Sequence, residues 1–324
     1  MVRFLSDEDV ATILDLESLL PVVEEAFVKQ GRDEVERPER PHYPVGVGIT
    51  GDEPLGTALT MPAYVHGATY FATKLASVHD GNVDRGLPTV NATIALTDAA
   101  TGLPAAYMAG TRVTNARTGC IGGLAARSLA ATEPVTVGVV GAGTQARWQT
   151  RAIAAAMDVE RVRVYAPSDS REACAADLRA AGITATAVDS PAAAVEGSSV
   201  VVTATTSTEP VFDGDTLEPG TVVVAVGAYT SSMRELDATT VDRAARVFAD
   251  VPEEAVAVGA LAAVDYEVDD LLPLSAVFEG RAGRETADEI IVVDSVGSAV
   301  LDAAAAEHLL DRAEQAGVGT ALSL

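Results

Sequence analysis

An apolar run that stops at a glycine-rich turn is the feature that most limits what this chain can fold into. Residues 135–140 read Val-Thr-Val-Gly-Val-Val, and Gly141-Ala142-Gly143-Thr144-Gln145-Ala146 follows them. A helical pattern then runs from about Thr144 to Met157. A buried parallel strand, a tight turn and a helix N-terminus together make a pocket for the pyrophosphate of a dinucleotide. The sequence therefore predicts a binding unit for NAD or NADP.

Three residues of this turn have distinct structural tasks. Gly141 permits the tight turn, and Gly143 lets the backbone approach the phosphates. Ala146, at the small third position, lets the helix and the strand pack closely. The motif begins only after about 130 residues, so a sizeable structure precedes the cofactor site.

The acidic residue that usually follows the second strand of such a unit is missing. Ala166 stands roughly where an Asp or Glu would bind the ribose 2′-hydroxyl. Ser168 and Arg171 could instead accept a 2′-phosphate, which favours NADP slightly over NAD. The alternative is that both are surface loop residues with no role in cofactor binding.

Apolar strands alternate with helices after residue 135, which indicates an α/β fold with a doubly wound parallel sheet of the Rossmann type. The predicted strands are 136–140, 162–165, 184–188, 200–205, 221–226, 246–249 and 290–294. Shorter strands are predicted earlier, at 57–61, 69–75, 90–96 and 105–108, with helices over 17–30 and 111–129. We therefore predict a second, α+β domain over residues 1–115 and the Rossmann domain over 116–299. A last helix is expected over 295–315. We expect the C-terminal helical segment, residues 300–324, to return to the first domain.

The charge balance argues against a nucleic-acid partner. The chain has 47 Asp and Glu against 22 Lys and Arg, a net charge of −25, so phosphates would be repelled. All but two of the basic residues are arginine. An acidic, lysine-poor surface suits a salt-adapted organism, whose ionic strength screens self-repulsion. Arginine-rich codon bias is the alternative, but it explains only the arginine excess.

The sequence predicts neither a membrane protein nor a secreted one. No apolar run reaches the roughly 18–20 residues of a membrane span, and the N-terminus lacks a signal-peptide core. Cys120 and Cys174 do not make a disulfide framework. No Cys/His cluster has metal-ligand spacing, so we expect no metal. The absence of an apolar span, a signal-peptide core and a disulfide framework leads us to expect a cytoplasmic protein without a membrane partner.

Lys74 lies in a strand-like apolar context in a chain with only one other lysine, Lys29. A lysine half-buried beside arginines has a lowered pKa, which suits acid–base chemistry. A strand-edge lysine that reaches solvent is the alternative. Arg40 and Arg117 are candidates for binding a substrate carboxylate, because guanidinium groups pair with carboxylates bidentately. For each arginine a surface ion pair is the alternative.

Several short motifs occur in an order that resembles the ornithine cyclodeaminase/mu-crystallin family along nearly the whole chain. They are Ala72-Thr73-Lys74, Arg85-Gly86-Leu87-Pro88-Thr89, Thr101-Gly102-Leu103-Pro104, Val113-Thr114-Asn115-Ala116-Arg117-Thr118, the turn at 141–146, Arg234-Glu235-Leu236-Asp237 and Ser295-Val296-Gly297-Ser298-Ala299. The combination is far more specific than any single motif.

The resemblance implies an architecture and a group of activities. The family combines a Rossmann domain with a second domain that forms the dimer interface and covers the active site. Its members include ornithine cyclodeaminase, an archaeal-type alanine dehydrogenase, ketimine reductases and opine-type synthases. A homodimer with a small-molecule carboxylate substrate is therefore implied, with substrate binding and dimerisation assigned to residues 1–115.

The resemblance also implies roles for individual residues. Arg40 and Arg117 would bind the substrate carboxylate. Lys74 would be the catalytic residue beside the α-carbon and carboxylate, and Val296 would line the substrate pocket. Thr89, Thr144, Gln145, Thr205 and Ser295 fall at positions that contact the cofactor in the family. With the glycine turn and the two candidates for a 2′-phosphate included, the expected cofactor contacts are Thr89, Gly141, Gly143, Thr144, Gln145, Ala146, Ser168, Arg171, Thr205, Val226, Gly227 and Ser295.

One residue departs from the cyclodeaminase pattern. After the fifth Rossmann strand, cyclodeaminases have an Asp that handles the substrate's amino group, and this chain has Tyr229 there. A phenol, whose unperturbed pKa is about 10, is not the general base that a carboxylate is at neutral pH. It also offers no charge to the distal ammonium of ornithine.

The leading hypothesis is therefore an NAD(P)-dependent oxidoreductase that acts on the C–N bond of a small amino or imino acid. It would resemble an alanine dehydrogenase or a ketimine or cyclic imine reductase. Ornithine cyclodeaminase, which makes L-proline and ammonia from L-ornithine with catalytic NAD, is the alternative. A non-catalytic, crystallin-like NADP-binding protein is the third reading, and the presence of Lys74, Arg40 and Arg117 together argues against it.

Overall fold

A computed structural model describes residues 1–264 and 266–323. The α-helices, numbered along the chain, are α1 (Asp7–Ile13), α2 (Leu16–Gly31), α3 (Gly110–Leu129), α4 (Thr144–Ala156), α5 (Ser170–Ala180), α6 (Pro191–Val195), α7 (Ala238–Arg243), α8 (Pro252–Ala255), α9 (Gly259–Ala263), α10 (Ser275–Phe278) and α11 (Ala299–Ala316). The strands are β1 (Val2–Leu5), β2 (Val35–Glu36), β3 (His42–Val45), β4 (Gly56–Val65), β5 (Tyr70–Val78), β6 (Val90–Asp98), β7 (Pro104–Ala109), β8 (Val135–Val140), β9 (Val159–Tyr165), β10 (Ala185–Ala187), β11 (Val200–Thr203), β12 (Val222–Ala225), β13 (Arg246–Ala249), β14 (Leu272–Pro273), β15 (Ile291–Asp294) and β16 (Thr320–Leu322).

The chain divides into two compact units. The first unit is Met1–Asp15, Arg32–Arg117 and Ala299–Leu324, and the second unit is Leu16–Gly31 and Thr118–Ser298. The expected division at 115/116 therefore needs two corrections, because the boundary falls after Arg117 and α2 groups with the second unit. The reason is packing: α2 lies against α4 and α10, with the rings of Phe27 and Phe278 at 5.4 Å.

The first unit is built on a mostly antiparallel sheet in the order β16-β1-β7-β6-β5-β4-β2, with β3 also paired to β4. Successive side chains of a strand point to opposite faces. The register places Met61, Lys74, Ile94 and Met108 in one row across β4 to β7, and all four are buried. Helix α11 packs on β4, β5 and β6, so Lys74 lies in a strand of the sheet that α11 covers.

The second unit contains a fully parallel sheet in the order β10-β9-β8-β11-β12-β15-β13-β14. Every residue of β8, β11, β12 and β15 is buried, as expected for strands covered on both faces. From β8 the chain runs to β9 and β10 on one side and returns to β11 on the other. This reversal makes the carboxyl end of β8 a topological switch point, where doubly wound sheets bind their ligands.

One predicted element starts later than expected. The sequence indicated a helix from 295, but α11 begins at Ala299. The residues before α11 are not helical, because Val296 N and Gly297 N donate to the Asp250 carboxylate and Gly297 has a φ of +79°. Across residues 1–264 and 266–323, no helix combines the length and apolar character needed to cross a bilayer.

Candidate active site

A buried charged cluster in the first unit contains two of the four candidate substrate-binding residues, Lys74 and Arg117. Lys74, only 3% exposed, donates from Nζ to Asp302 Oδ2 at 2.5 Å. Arg117 Nε donates to Asp302 Oδ1 at 3.1 Å, and Thr114 Oγ1 donates to the same oxygen at 3.0 Å. The sequence left two alternatives open, a Lys74 that reaches solvent and a surface ion pair for Arg117. Both are wrong, because both side chains are buried.

Arg117 keeps one nitrogen for another partner. Its Nη1 is buried and has no hydrogen-bond partner within the described part of the chain. The guanidinium is anchored at Nε by Asp302, so its position is defined before a ligand arrives. Such an orphaned cationic donor fits an anionic group with a lone pair to offer.

Burial and neighbouring charges set the protonation of the cluster. Burial lowers the pKa of Lys74 to about 8, with the charges of Arg117 and Arg40 acting in the same direction and that of Asp302 opposing them. Burial alone would raise the pKa of Asp302, but Arg117 and Lys74 outweigh burial and the pKa is lowered. The half-buried Arg40 therefore lies close enough to act on Lys74. At neutral pH the cluster holds an ionised carboxylate between cations.

The glycine turn of the second unit has the geometry of a dinucleotide site. It follows β8 at the switch point, and Gly141 adopts a φ of +116°. Helix α4 begins immediately after it with Gly143 as N-cap and no side-chain cap. A Cβ built on Gly143 would meet nothing within 4 Å. An uncapped helix N-terminus with open space beside its N-cap glycine is the arrangement that binds a pyrophosphate.

A buried glutamate joins two loops that carry expected cofactor contacts. Glu235 Oε1 accepts from Thr205 N at 2.6 Å and from Thr205 Oγ1 at 3.0 Å, and Oε2 accepts from Gly227 N at 2.7 Å. Burial raises the pKa of Glu235 against these hydrogen bonds. Glu235 thus joins the loops after β11 and β12. Val226, the residue before Gly227, is held by its own N–H, which donates to the Thr203 carbonyl oxygen at 3.1 Å.

A second buried carboxylate shapes the loop after β15. Asp250 accepts from Ser295 Oγ at 2.7 Å, from Val296 N at 3.0 Å and from Gly297 N at 2.8 Å. It therefore fixes Ser295 and Val296, which were expected to contact cofactor and substrate. Asp294, the last residue of β15 and the neighbour of Ser295, is also buried. Burial and repulsion by Asp250 and Glu235 raise its pKa well above the usual range.

The remaining predicted residues occupy varied environments. Arg171 donates from Nη1 to the Ala166 carbonyl at 3.1 Å and pairs with Asp189 at 3.2 Å. Ser168 Oγ lies 2.8 Å from Ser170 Oγ. Tyr229 is 49% exposed. Thr89, just before β6, is half-buried. At the start of α4, Thr144 is exposed, Gln145 is half-buried and Ala146 is buried.

Comparison with known proteins identifies the family. The sequence profile of the ornithine cyclodeaminase/mu-crystallin family matches residues 2–317. The chain belongs to this family. The alanine dehydrogenase of Archaeoglobus fulgidus is 31% identical over 329 residues, which cover 98% of this chain and 96% of that protein.

Two solved structures of family relatives align along nearly the whole chain. The Δ1-pyrroline-2-carboxylate reductase of Thermococcus litoralis, in complex with NADH and L-proline, has a TM-score of 0.92 at 30% identity, covering 99% of this chain and 100% of its own. An archaeal alanine dehydrogenase dimer with bound NAD has a TM-score of 0.91 at 29% identity, covering 100% and 99%. The predicted fold class, a Rossmann unit with a second α+β unit, is confirmed.

Sequence reasoning missed Asp302, Glu235 and Asp250. Asp302 is a single acid within the apolar stretch Ala299–Ala306 at the start of α11, and that isolation was the available signal. Glu235 lay inside a family motif but had no role assigned. These three are among 47 acidic residues in the chain, so they do not stand out until their burial is known.

The two glycines of the turn should respond differently to a methyl group. A Cβ at Gly141 would overlap the Ala204 carbonyl oxygen, and the φ of +116° disfavours any side chain there, so Gly141→Ala should lower the free energy of unfolding by about 1–3 kcal/mol. Gly143→Ala meets open space and should stay within about 0.5 kcal/mol of the parent. The added methyl group at position 143 would occupy the space beside the helix N-terminus where the pyrophosphate binds, so Gly143→Ala should nevertheless weaken NADH binding. Denaturant unfolding and NADH fluorescence titration measure both, and equal stability of the two variants would contradict this assignment.

Proposed function

We propose that this protein is an NAD(P)-dependent oxidoreductase that acts on the C–N bond of a small amino or imino acid. One observation carries the proposal: a buried lysine of lowered pKa shares Asp302 with an arginine whose buried Nη1 has no partner within the described residues. A proton-transfer group and an anion-binding group are therefore held together. Relatives of this chain include an alanine dehydrogenase and a pyrroline-2-carboxylate reductase.

Arg117 supplies the group that binds the substrate carboxylate. A buried donor without a partner costs about 1–3 kcal/mol, and more when it is charged. A carboxylate that accepts from Nη1 removes this cost, while Asp302 keeps Nε in place. Arg40, the other cation that acts on Lys74, is proposed as the second donor to the same carboxylate.

Lys74 supplies the proton transfer. With a pKa of about 8, its amine populates both protonation states near neutral pH, where general acid–base catalysis is most effective. In reduction the ammonium donates a proton to the substrate nitrogen or to a leaving water. In oxidation the neutral amine accepts one. The nicotinamide, when bound, supplies or takes up the hydride at the substrate carbon.

The second unit supplies the cofactor-binding residues. The turn from Gly141 and the first turn of α4 would hold the pyrophosphate, and the loops tied by Glu235 and Asp250 would hold the remainder. The guanidinium of Arg171 is already bonded to Ala166 and Asp189, which weakens the case for a 2′-phosphate. We therefore propose that NADH is accepted at least as well as NADPH.

Absorbance at 340 nm tests the function directly. Pyruvate with ammonium, then Δ1-pyrroline-2-carboxylate, then L-ornithine are offered with NADH and with NADPH. Each is assayed at low salt and in molar KCl, where a protein from a salt-adapted cytoplasm should be more active. Oxidation of the cofactor with either of the first two supports the proposal. Proline and ammonia from ornithine, with no net oxidation in the other assays, would instead establish a cyclodeaminase.

The pH dependence should reverse with the direction of the reaction. Reduction needs the ammonium form of Lys74, so kcat/KM should fall as the pH rises above about 8. Oxidation needs the neutral amine, so kcat/KM should fall as the pH drops below about 8. Initial rates from pH 6 to pH 10 in both directions measure the two limbs. If kcat/KM changed with pH in the same direction for reduction and for oxidation, Lys74 would be excluded as the titrating group.

We also propose a homodimer formed through one face of the first unit's sheet. This face, called here the uncharged sheet face, consists of the residues that alternate with the buried row on β4 to β7. They are Ala58, Thr60, Pro62, Tyr64, Phe71, Thr73, Leu75, Ser77, Asn91, Thr93, Ala95, Thr97, Tyr107 and Ala109. None of them is charged in a chain of net charge −25, and Leu75 is 55% exposed. A large uncharged face on so acidic a protein supports a second copy as its partner.

Light scattering after size-exclusion chromatography tests the dimer. The parent protein should have twice the mass of the chain, and Leu75→Glu, which places a charge in the middle of the uncharged sheet face, should be a monomer. Leu103→Glu is the matched control, because Leu103 is 65% exposed in the turn between β6 and β7 and lies outside the face. A monomeric parent protein, or a dimeric Leu75→Glu variant, would overturn this interface.

A further inference from the structure

We propose that Asp302 is the positioning residue of the reaction: its two carboxylate oxygens hold the proton-transfer lysine and the carboxylate-binding arginine in one fixed arrangement. The kinetic part of this inference rests on the proposed function. The structural part concerns only the first unit. Asp302 is 1% exposed and lies 228 residues along the chain from Lys74.

The hydrogen bonds divide the two oxygens between two tasks. Oδ2 accepts from Lys74 Nζ at 2.5 Å, while Oδ1 accepts from Arg117 Nε at 3.1 Å and from Thr114 Oγ1 at 3.0 Å. Because Asp302 takes the inner nitrogen of the guanidinium, Nη1 is left over for a ligand. A rigid carboxylate of this kind fixes both the direction and the separation of the two cationic groups.

The charges around Lys74 show why the positioning group must be an anion. Asp302 approaches from α11, Arg117 and Thr114 approach from α3, and the charge of Arg40 acts from the segment between β2 and β3. The neighbouring side chains on β4 and β6 in the same row, Met61 and Ile94, are apolar. Asp302 is the one negative charge in this set, so it offsets the repulsion between buried cations.

The position of Asp302 in its helix adds to this effect. It is the acidic residue of the first turn of α11, where the helix dipole stabilises a negative charge. Its neighbours Leu301 and Ala303 are buried and apolar, so solvent does not screen the ion pair. The carboxylate is thus kept ionised beside Lys74 at neutral pH.

Lysine labelling gives a direct test that does not depend on activity. The chain contains only Lys29 and Lys74, so protein labelled with ¹³C at lysine Cε gives two lysine signals to follow with pH. The Lys74 signal should titrate at about 8 in the parent protein. In Asp302→Asn it should titrate at least one pH unit lower, because the anion that raises its pKa is gone. Asp311→Asn, which removes an exposed acid from the same helix, should leave it unchanged.

Kinetics distinguish positioning from a merely structural role. For Asp302→Asn we expect kcat to fall at least tenfold, KM for the carboxylate substrate to rise, and the pH limb to move to lower pH. Asp302→Glu keeps the charge but lengthens the side chain, so Lys74 should titrate near its parent value while kcat still falls. That second variant carries the test if Asp302→Asn does not fold.

An unchanged lysine titration in Asp302→Asn, or parent kcat in Asp302→Glu, would overturn the inference. So would a loss of activity that only matches the loss of folded protein, with an unmoved pH limb. Failure of the proposed function would look different. The parent protein would then turn over none of the keto or imino acids, while the lysine titration would still respond to Asp302.

Discussion

Replacing Lys74 by methionine should lower turnover by ~10³-fold or more while leaving NADH binding intact. Loss of a general acid–base group lowers the rate by about 10²–10⁴-fold, and Lys74 is the amine of the buried cluster, with a pKa lowered to about 8. Methionine replaces the four-carbon stem of lysine with one of similar length and removes only the ammonium group, and Asp302 remains bonded to Arg117 and Thr114. Steady-state assays at 340 nm and NADH fluorescence titration measure the two quantities.

The chain offers a matched control for this substitution. Lys29 is its only other lysine and belongs to α2 in the second unit. Lys29→Met should therefore keep turnover within a factor of two of the parent. If Lys74→Met retained a tenth or more of parental kcat, with the protein folded by circular dichroism, the catalytic role of Lys74 would be rejected.

Replacing Arg117 by methionine should raise KM for the carboxylate substrate by ~10²–10³-fold. Truncating one partner of a buried, hydrogen-bonded charge pair costs about 2–5 kcal/mol, and each 1.4 kcal/mol corresponds to tenfold in affinity. The charge of Arg117 also lowers the pKa of Lys74, so its removal should move the pH limb to higher pH. This shift is opposite in sign to the one expected for Asp302→Asn.

Arg112 provides the comparison on the same helix. It pairs with Asp7 through Nε at 3.1 Å and Nη2 at 2.6 Å, with a third of its side chain exposed. Exposed ion pairs contribute about 0–1 kcal/mol, so Arg112→Met should leave KM nearly unchanged. Equal KM values for the parent and Arg117→Met would remove Arg117 from the substrate site.

The parallel sheet was predictable because its information is local. Buried strands such as β8 and β11 are nearly continuous apolar runs, and turns rich in glycine or polar residues separate them from helices. The predicted strands at 200–205 and 221–226 agree with β11 (Val200–Thr203) and β12 (Val222–Ala225) to within two residues at each end. Hydrophobic periodicity and turn chemistry suffice wherever a strand is buried on both faces.

The allocation of helices to units was less predictable. Helix α2 was correctly expected near residues 17–30, yet it joins the second unit. Its apolar face could be read from the sequence, but the identity of the surface that covers the face could not. A hydrophobic stripe specifies that burial occurs and leaves the partner unspecified.

The sequence alone determined the fold class, the dinucleotide turn and the candidate residues Lys74, Arg40 and Arg117, because each is marked by a local pattern or by family motifs. Only the tertiary structure decided that Lys74 is buried, that Arg117 Nη1 has no partner within the described residues and that Asp302 joins the two side chains. Asp302 is far from both in sequence and comes to them only when α11 packs on the sheet of the first unit. Burial, pKa and ion pairing depend on groups that are distant along the chain, and local patterns do not encode them.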